Sequence, residues 1–453
     1  MRSGKISAQA IVEQSLDRIA KIDSSGYTLN SVIALSPDSE PKNIINPKLP
    51  LAGLPILIKD NVECIGLPGS AGSLALAKYP VKTDSTIVAR LRNAGAEIVA
   101  ATNLSEWANI RSTKSTSGWS GFGGLTANPW IHERSAGGSS SGSGAAIAAG
   151  LVSLAVGTET DGSIICPASL NGCVGIKPTV NSVPRDGVIP ISASQDSPGS
   201  MARTVEDAAL LLEVMMGRTD LIGAASANRA LKIGVVKSWI TGHAGTDALL
   251  EGAIDLLAKS GISILEVDLS PPDEETGNDE YAVLLHELFD DLGSHLMKRC
   301  NGELATLADV IRFNQEHSAT ELKFFGQELF EQAILLGGRT GEYAAKRERN
   351  LTWATTTLDE GLEKFDVLIG ATYSPAWLST LGKGDEYSNS SWITTAPAIV
   401  GSPIGCVPMG ITEGLPVGLG VVSRKYDEIT LITAMKEIET ILSLGIMQPT
   451  FLK

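Results

Sequence analysis

The chain has 453 residues, 43% of them hydrophobic and 19% charged, a globular mixture that excludes the collagen-like and intrinsically disordered classes. Thirty-six basic against 51 acidic side chains leave a net charge of −15, and with no basic patch to offset it, nucleic acid and anionic lipid are unfavourable partners. Five cysteines at positions 64, 166, 173, 300 and 406, with no C-x-x-C, argue against a disulfide framework or a thiolate zinc site and fit a cytoplasmic, reducing location.

The opening MRSGKISAQA lacks the apolar stretch of a secretory signal. Ser7 is placed to cap a helix whose apolar positions Ile11, Val12, Leu16 and Ile19 recur at three- and four-residue spacing. Residues 51–58 read as a short buried strand, 85–93 as a helix closed by Gly95, and 96–103 as a second strand. A helix at 145–149 leads to a strand at 151–157; the low-charge run 145–157 is too short to cross a membrane. Thr204, with Asp207 three residues on, resembles a capping box opening a helix that Gly217 ends. Strands at 231–237 and 262–269 flank another helix, so α/β character persists. From 279 to 365 the patterns are almost all helical, and the acidic run DEETGNDE (273–280) before them reads as a solvated loop. Strands return at 366–370, 406–410 and 417–422, followed by a final helix over 427–442. At roughly 150 residues per domain the length allows about three domains. No Pro/Ser linker divides the chain, however, so the expectation is one domain over 1–453, with a core at about 50–205 and a helical insertion at about 279–365.

Three segments carry chemistry. RSAGGSSSGSGAAIAAG runs straight into a helix but lacks the Lys and the preceding strand of a phosphate loop. Read as G-x-S-x-G it would make Ser140 a nucleophile elbow, again without the strand that fold requires; taken alone, a flexible Gly/Ser loop is the simpler account. Downstream, GTETDGSIICPASLNGCVGIKPT places Ser163 after Asp161 and Gly162 at a strand end, where a tight turn can present a hydroxyl beside several backbone N–H donors. Upstream, LAGLPILIKDNV closes an apolar strand with Lys59, which burial should make less basic and so a candidate proton acceptor.

With DSPGSMARTVEDA, APAIVGSPIGCVPMG and GLPVGLGVVSRKYDE added, these segments resemble the amidase signature family over most of the chain. SEWANIRS, SGWSGFGGLTANPW and GTETDGS are most similar to its peptide amidase branch, which removes the C-terminal amide of peptides. The resemblance implies an α/β fold with a twisted mixed sheet covered by helices on both faces, and a metal-free, cofactor-free Ser-Ser-Lys triad. Carried over residue by residue, the lysine falls on Lys59, the bridging serine on Ser139 after a cis peptide from Gly138, and the nucleophile on Ser163. The backbone N–H groups of Thr160, Asp161, Gly162 and Ser163 fall where the family holds an oxyanion. Many members have glycine where this chain has Asp161 and arginine where it has Ile165, departures that fit the peptide amidase branch and disfavour acidic substrates. Relative to the family pattern the start lies late and lacks a short leading helix, which leaves a miscalled start codon or a lost leader as the two expectations. The implied activity is hydrolysis of a linear carboxamide, a C-terminal peptide amide or an apolar or aryl amide, to carboxylate and ammonia through a serine acyl-enzyme by a monomer or homodimer. Apolar, uncharged amides are expected over glutamine, asparagine or malonamate. The alternative is the glutamine-hydrolysing catalytic subunit of a tRNA-dependent amidotransferase.

His132, His243, His286, His295 and His317 show no metal-binding spacing, and Cys166 and Cys173 read as packing residues. Trp107, Trp119 and Trp130 lie between the lysine and serine motifs, where they either wall an apolar pocket or fill core.

Overall fold

A computed structural model describes residues 6–37, 46–226 and 230–452. Its strands are β1 (Val32–Leu35), β2 (Pro55–Lys59), β3 (Glu97–Thr102), β4 (Trp119–Ser120), β5 (Gly124–Leu125), β6 (Leu154–Glu159), β7 (Val174–Lys177), β8 (Ser197–Ala202), β9 (Lys232–Val236), β10 (Ser263–Val267), β11 (Val367–Ala371), β12 (Ile404–Thr412) and β13 (Leu415–Val422). All but the small β4–β5 ribbon join one eleven-stranded sheet in the order β1-β3-β2-β6-β8-β7-β12-β13-β11-β9-β10. The sheet is mixed: β2 runs parallel to β3 and β6, whereas β6–β8, β7–β8 and β12–β13 are antiparallel.

Alternation along β2 shows how the sheet is covered. Ile56 and Ile58 face one apolar layer, with helices Thr86–Asn93, Val205–Met216 and Glu428–Leu442; Leu57 faces the other, with Ser141–Ala148 and Ile165–Asn171. Because both faces are buried, the inner strands are apolar throughout. A third apolar cluster, around Leu285, Leu292, Leu296 and Phe330, lies in the helical block and packs on Leu76, Trp107 and Ile189 at one end of the sheet. This block forms a roof.

The expected caps are present. Ser7 Oγ accepts from Ala10 N (3.0 Å), Thr204 Oγ1 from Asp207 N (3.1 Å), and Gly217 closes its helix with φ 71°. Strands β7 and β8 escape sequence reading, since each is short and carries Gly, Ser or Pro in place of a β-branched run. The acidic run 273–280 is not a loop: it forms the opening turns of helix Glu274–Arg299. Asp273 caps it by accepting from Thr276 N (2.8 Å), and Glu274 and Glu275 meet the positive end of the helix dipole. Asp279 turns inward, 2.7 Å from Lys346 Nζ and 2.6 Å from Arg349 Nη2. A run of acids suits a helix start as well as a solvated loop, and the cap at Asp273 with the ion pairs of the buried Asp279 tips the balance. Among the described residues no helix is long and apolar enough to cross a membrane.

Candidate active site

Lys59 ends β2 and is completely buried, with its Nζ 2.7 Å from Ser139 Oγ, 2.8 Å from Thr158 Oγ1 and 3.2 Å from the Thr158 carbonyl. Thr158 lies on the neighbouring strand β6, and its hydroxyl also accepts from Asn61 Nδ2 (2.9 Å). Burial lowers the Lys59 pKa to about 7, outweighing the opposite pull of Asp196 and Glu159.

Ser139 follows a cis peptide from Gly138 and is fully buried. Its carbonyl accepts from Ser105 N (3.1 Å), and the next residue, Ser140, donates its N–H to the Ser163 carbonyl (3.1 Å), tying the two serine loops together. A side chain on Gly138 would collide with the Ser105 and Ser117 hydroxyls, so the lack of Cβ is required there. Ser140 Oγ donates to the Thr158 carbonyl (3.0 Å) and accepts from Thr158 N (3.2 Å). That hydroxyl is a clamp between loop and strand, and no strand precedes it, which removes the nucleophile-elbow reading.

Ser163 stands at the turn between β6 and helix Ile165–Asn171, half-buried. Glu159 Oε2 fixes the turn by accepting from Ile164 N (2.7 Å) and Ile165 N (2.9 Å). Gly162 has φ 75°, and a Cβ there would meet the Tyr373 hydroxyl. Thr160 Oγ1 donates to Asp196 Oδ1 (2.6 Å), while Asp196 Oδ2 accepts from Ile191 N and Ser192 N. The triplet 160–162 is therefore anchored from the side, and no hydrogen bond among the described residues occupies the N–H groups of Asp161, Gly162 or Ser163.

A cavity of about 350 Å³ opens at this turn. Gly138, Thr160, Asp161, Gly162 and Ser163 line it; Lys59 and Ser139 lie behind that wall. Its far side carries Glu280 and Tyr281 from the roof helix and Tyr373, Tyr387 and Thr394 from the segments after β11. Sequence reading missed all five. Glu280 lies in the acidic run and could have been suspected only once that run was known to be a helix beside the site. Asn109 also lines the cavity, in a stretch where Trp107, Ala108 and Asn109 have φ of 50°, 54° and 75°, a left-handed conformation that is costly for residues with side chains.

The tryptophans between the motifs do not wall this cavity. Trp107 is buried edge-on to Phe330, Trp119 packs against Phe324 and Phe325, and Trp130 donates Nε1 to the Asn171 carbonyl (2.8 Å). The five cysteines are buried; burial pushes the Cys166 thiol upward, as expected of a packing residue.

Residues 10–432 match the family model described as Amidase. The chain belongs to this amidase family. Among curated relatives, a glutamyl-tRNA(Gln) amidotransferase subunit of Methanosarcina acetivorans is 33% identical, the alignment covering 96% of this chain and 93% of the relative. A probable amidase of Arabidopsis thaliana is 34% identical over 94% of this chain and 85% of its own. Among solved structures, native peptide amidase from Stenotrophomonas maltophilia matches with a TM-score of 0.90 and 37% identity, covering 100% of this amidase and 97% of that chain. The motifs and fold accordingly place this amidase beside the peptide amidase branch, although its curated relatives include amidotransferase subunits.

Proposed function

We propose that the protein hydrolyses linear carboxamides bearing a free –NH2, the C-terminal amides of peptides in particular, through an acyl-enzyme on Ser163. The observation that carries this reading is the buried 2.7 Å contact between Lys59 Nζ and Ser139 Oγ directly behind the Ser163 turn. With a pKa near 7, Lys59 is substantially neutral at physiological pH and can accept a proton. It takes the Ser139 proton as Ser139 takes that of Ser163, and Ser163 Oγ bonds to the amide carbon. The carbonyl electrons move onto oxygen, held by backbone N–H groups of Asp161, Gly162 and Ser163, with Thr160 anchoring the strand end. As the tetrahedral centre collapses the C–N bond breaks, and the relayed proton returns through Ser139 to the leaving nitrogen, releasing ammonia. Water then adds to the ester carbon with the same relay as base, yielding the carboxylate and free Ser163. Every catalytic group belongs to this chain, and neither metal nor cofactor enters the scheme.

Asp161 and Glu280 make the cavity unfavourable for anionic amides such as malonamate. The protein acts alone on this reading, and 1–453 behaves as one domain with the helical roof as its insertion. The 33% identity to amidotransferase subunits favours one rival, a subunit that hydrolyses glutamine for a partner. The test is ammonia release by purified protein from N-acetylphenylalaninamide, glutamine and malonamate. The peptide-type amide should give the highest kcat/KM. Glutamine hydrolysis that is highest, or that appears only with a second subunit, replaces this reading with the rival.

A further inference from the structure

The cavity is chemically lopsided. Two of its lining residues are carboxylic acids, Asp161 from the nucleophile turn and Glu280 from the roof helix, and three are tyrosines, Tyr281, Tyr373 and Tyr387. None of the described lining residues is Lys, Arg or His. Internal hydrogen bonds leave the acids only partly satisfied. Thr394 bonds the Asp161 side chain, yet Asp161 Oδ1 is sealed from solvent with no partner. Glu280 Oε1 accepts from Gln195 Nε2 (2.9 Å), and among the described residues no other side chain bonds this carboxyl. Two cations reach the acids from outside the cavity: Arg347, whose field reaches Glu280, gives its Nη2 to the Ile399 carbonyl (2.9 Å), and Lys177, whose field reaches Asp161, is bound to the Ser402 and Pro178 carbonyls; neither lines the cavity.

We propose that the face formed by Asp161, Glu280 and the tyrosines is a subsite for a positively charged group, an ammonium or a guanidinium, carried by the amide substrate. The proposal rests on the reading of Ser163 as an amide-cleaving nucleophile and adds what the rest of the substrate looks like. Burial raises the pKa of both carboxyls, and the Asp161 charge adds to the rise at Glu280. With no cation lining the cavity and burial outweighing the fields of Lys177 and Arg347, the charged forms of the two acids are unfavourable there, and a bound cation favours both. Tyrosine rings suit the same guest, through the attraction of a cation to an aromatic face. Because Asp161 adjoins Gly162 and Ser163, a cation held there arrives close to the reacting carbon, so its binding also positions the amide. The charge can come from a side chain or from a free α-amine.

Two substrate pairs separate these sources, tested on the whole protein: N-acetyl-lysinamide against N-acetyl-norleucinamide, and phenylalaninamide with a free against an acetylated amine. In at least one pair the cationic member should have a kcat/KM higher by about ten-fold or more, a margin of roughly 1.4 kcal/mol. The pair that discriminates shows whether side chain or α-amine fills the subsite. Glu280→Gln keeps the acceptor for Gln195 but removes the charge and should collapse the preference, as should Asp161→Asn. Calorimetric binding of the same amides to Ser163→Ala reads the preference without turnover. Absence of preference in both pairs, or a preference unchanged in both carboxyl variants, overturns the subsite while leaving amide hydrolysis intact. Carboxyl-dependent binding of cationic amides by a protein that hydrolyses none of them would keep the subsite and overturn the proposed function.

Discussion

Two lysines end neighbouring regions of the same sheet, and both are entirely buried: Lys59 at the end of β2 and Lys177 at the end of β7. Burial lowers the pKa of each, to about 7 and about 8 respectively, so desolvation alone does not distinguish them. Their partners do. Lys59 meets two hydroxyls, Ser139 Oγ and Thr158 Oγ1, besides one carbonyl. Hydroxyls can donate as well as accept, so a neutral amine remains hydrogen-bonded there. Lys177 meets the Ser402 carbonyl at 2.6 Å and the Pro178 carbonyl at 3.2 Å, and the fields of Glu159, Asp161 and Glu428 favour its charge. Carbonyls only accept, so this lysine acts as a protonated strut across β7 and the turn before β12. The comparison teaches that the donors around a buried lysine, not its depth, decide whether it is suited to act as a base.

The sharpest way to break the comparison is to exchange each lysine for methionine, which keeps the stem and removes the amine. Lys59→Met should reduce kcat by about 10³-fold or more while circular dichroism stays native, because the relay loses its acceptor. Ser163→Ala belongs to the same class of effect. Lys177→Met should instead act on stability: two carbonyls and the facing carboxylates lose their cation, at a cost of about 2–4 kcal/mol in urea unfolding. The turnover of its folded fraction should stay within about ten-fold of the parent, against the far larger drop at Lys59. A large catalytic loss at Lys177 with unchanged stability would reverse the assignment.

Next in size is the pH profile. In the proposed relay the neutral amine is the active form, and the Lys59 pKa lies near 7, so kcat/KM for a neutral amide should rise about ten-fold per pH unit below 7 and level off above. The smallest effect is expected at Asp196. Its carboxylate favours the charged form of Lys59, and its removal lowers the lysine's pKa further. In Asp196→Asn the acidic limb should therefore shift to lower pH, by up to about one unit. A shift toward higher pH would mean that loss of the Thr160 anchor outweighs the electrostatic effect.

The proposed trio of Lys59, Ser139 and Ser163 was legible in the sequence because each member sits in a local pattern: an apolar strand ending in a charge, a Gly/Ser loop opening a helix, and a Gly-Ser turn after a strand. The clamp role of Ser140 was not, since it depends on the loop meeting the Thr158 backbone of strand β6. Lys177 shows the same limit. CVGIKP is as apolar as PILIK, and only the three-dimensional partners separate strut from base. The far wall of the cavity was illegible for a related reason. Glu280, Tyr373, Tyr387 and Thr394 come from segments with no motif of their own, brought to the site by the roof helix and the crossing from β11. The tryptophans misled in the opposite sense, because nearness in sequence to a motif says little about which way a large apolar side chain is buried.

The roof helix Glu274–Arg299 holds the loop 192–195 with three acids on one side: Glu280 accepts from Gln195, Glu287 from Ser192 and Ser194, and Asp291 from the Ala193 N–H. That loop leads straight into Asp196, which anchors Thr160. For anyone redesigning the enzyme, the helix is thus a detachable facing with a hidden bolt. Its apolar underside packs in a cluster of its own, so new cavity walls can be grafted at 277 and 281 while the strands that carry the proposed catalytic residues keep their packing. Positions 280, 287 and 291 must travel unchanged with any graft, since altering them would loosen the loop behind the turn proposed to hold the oxyanion.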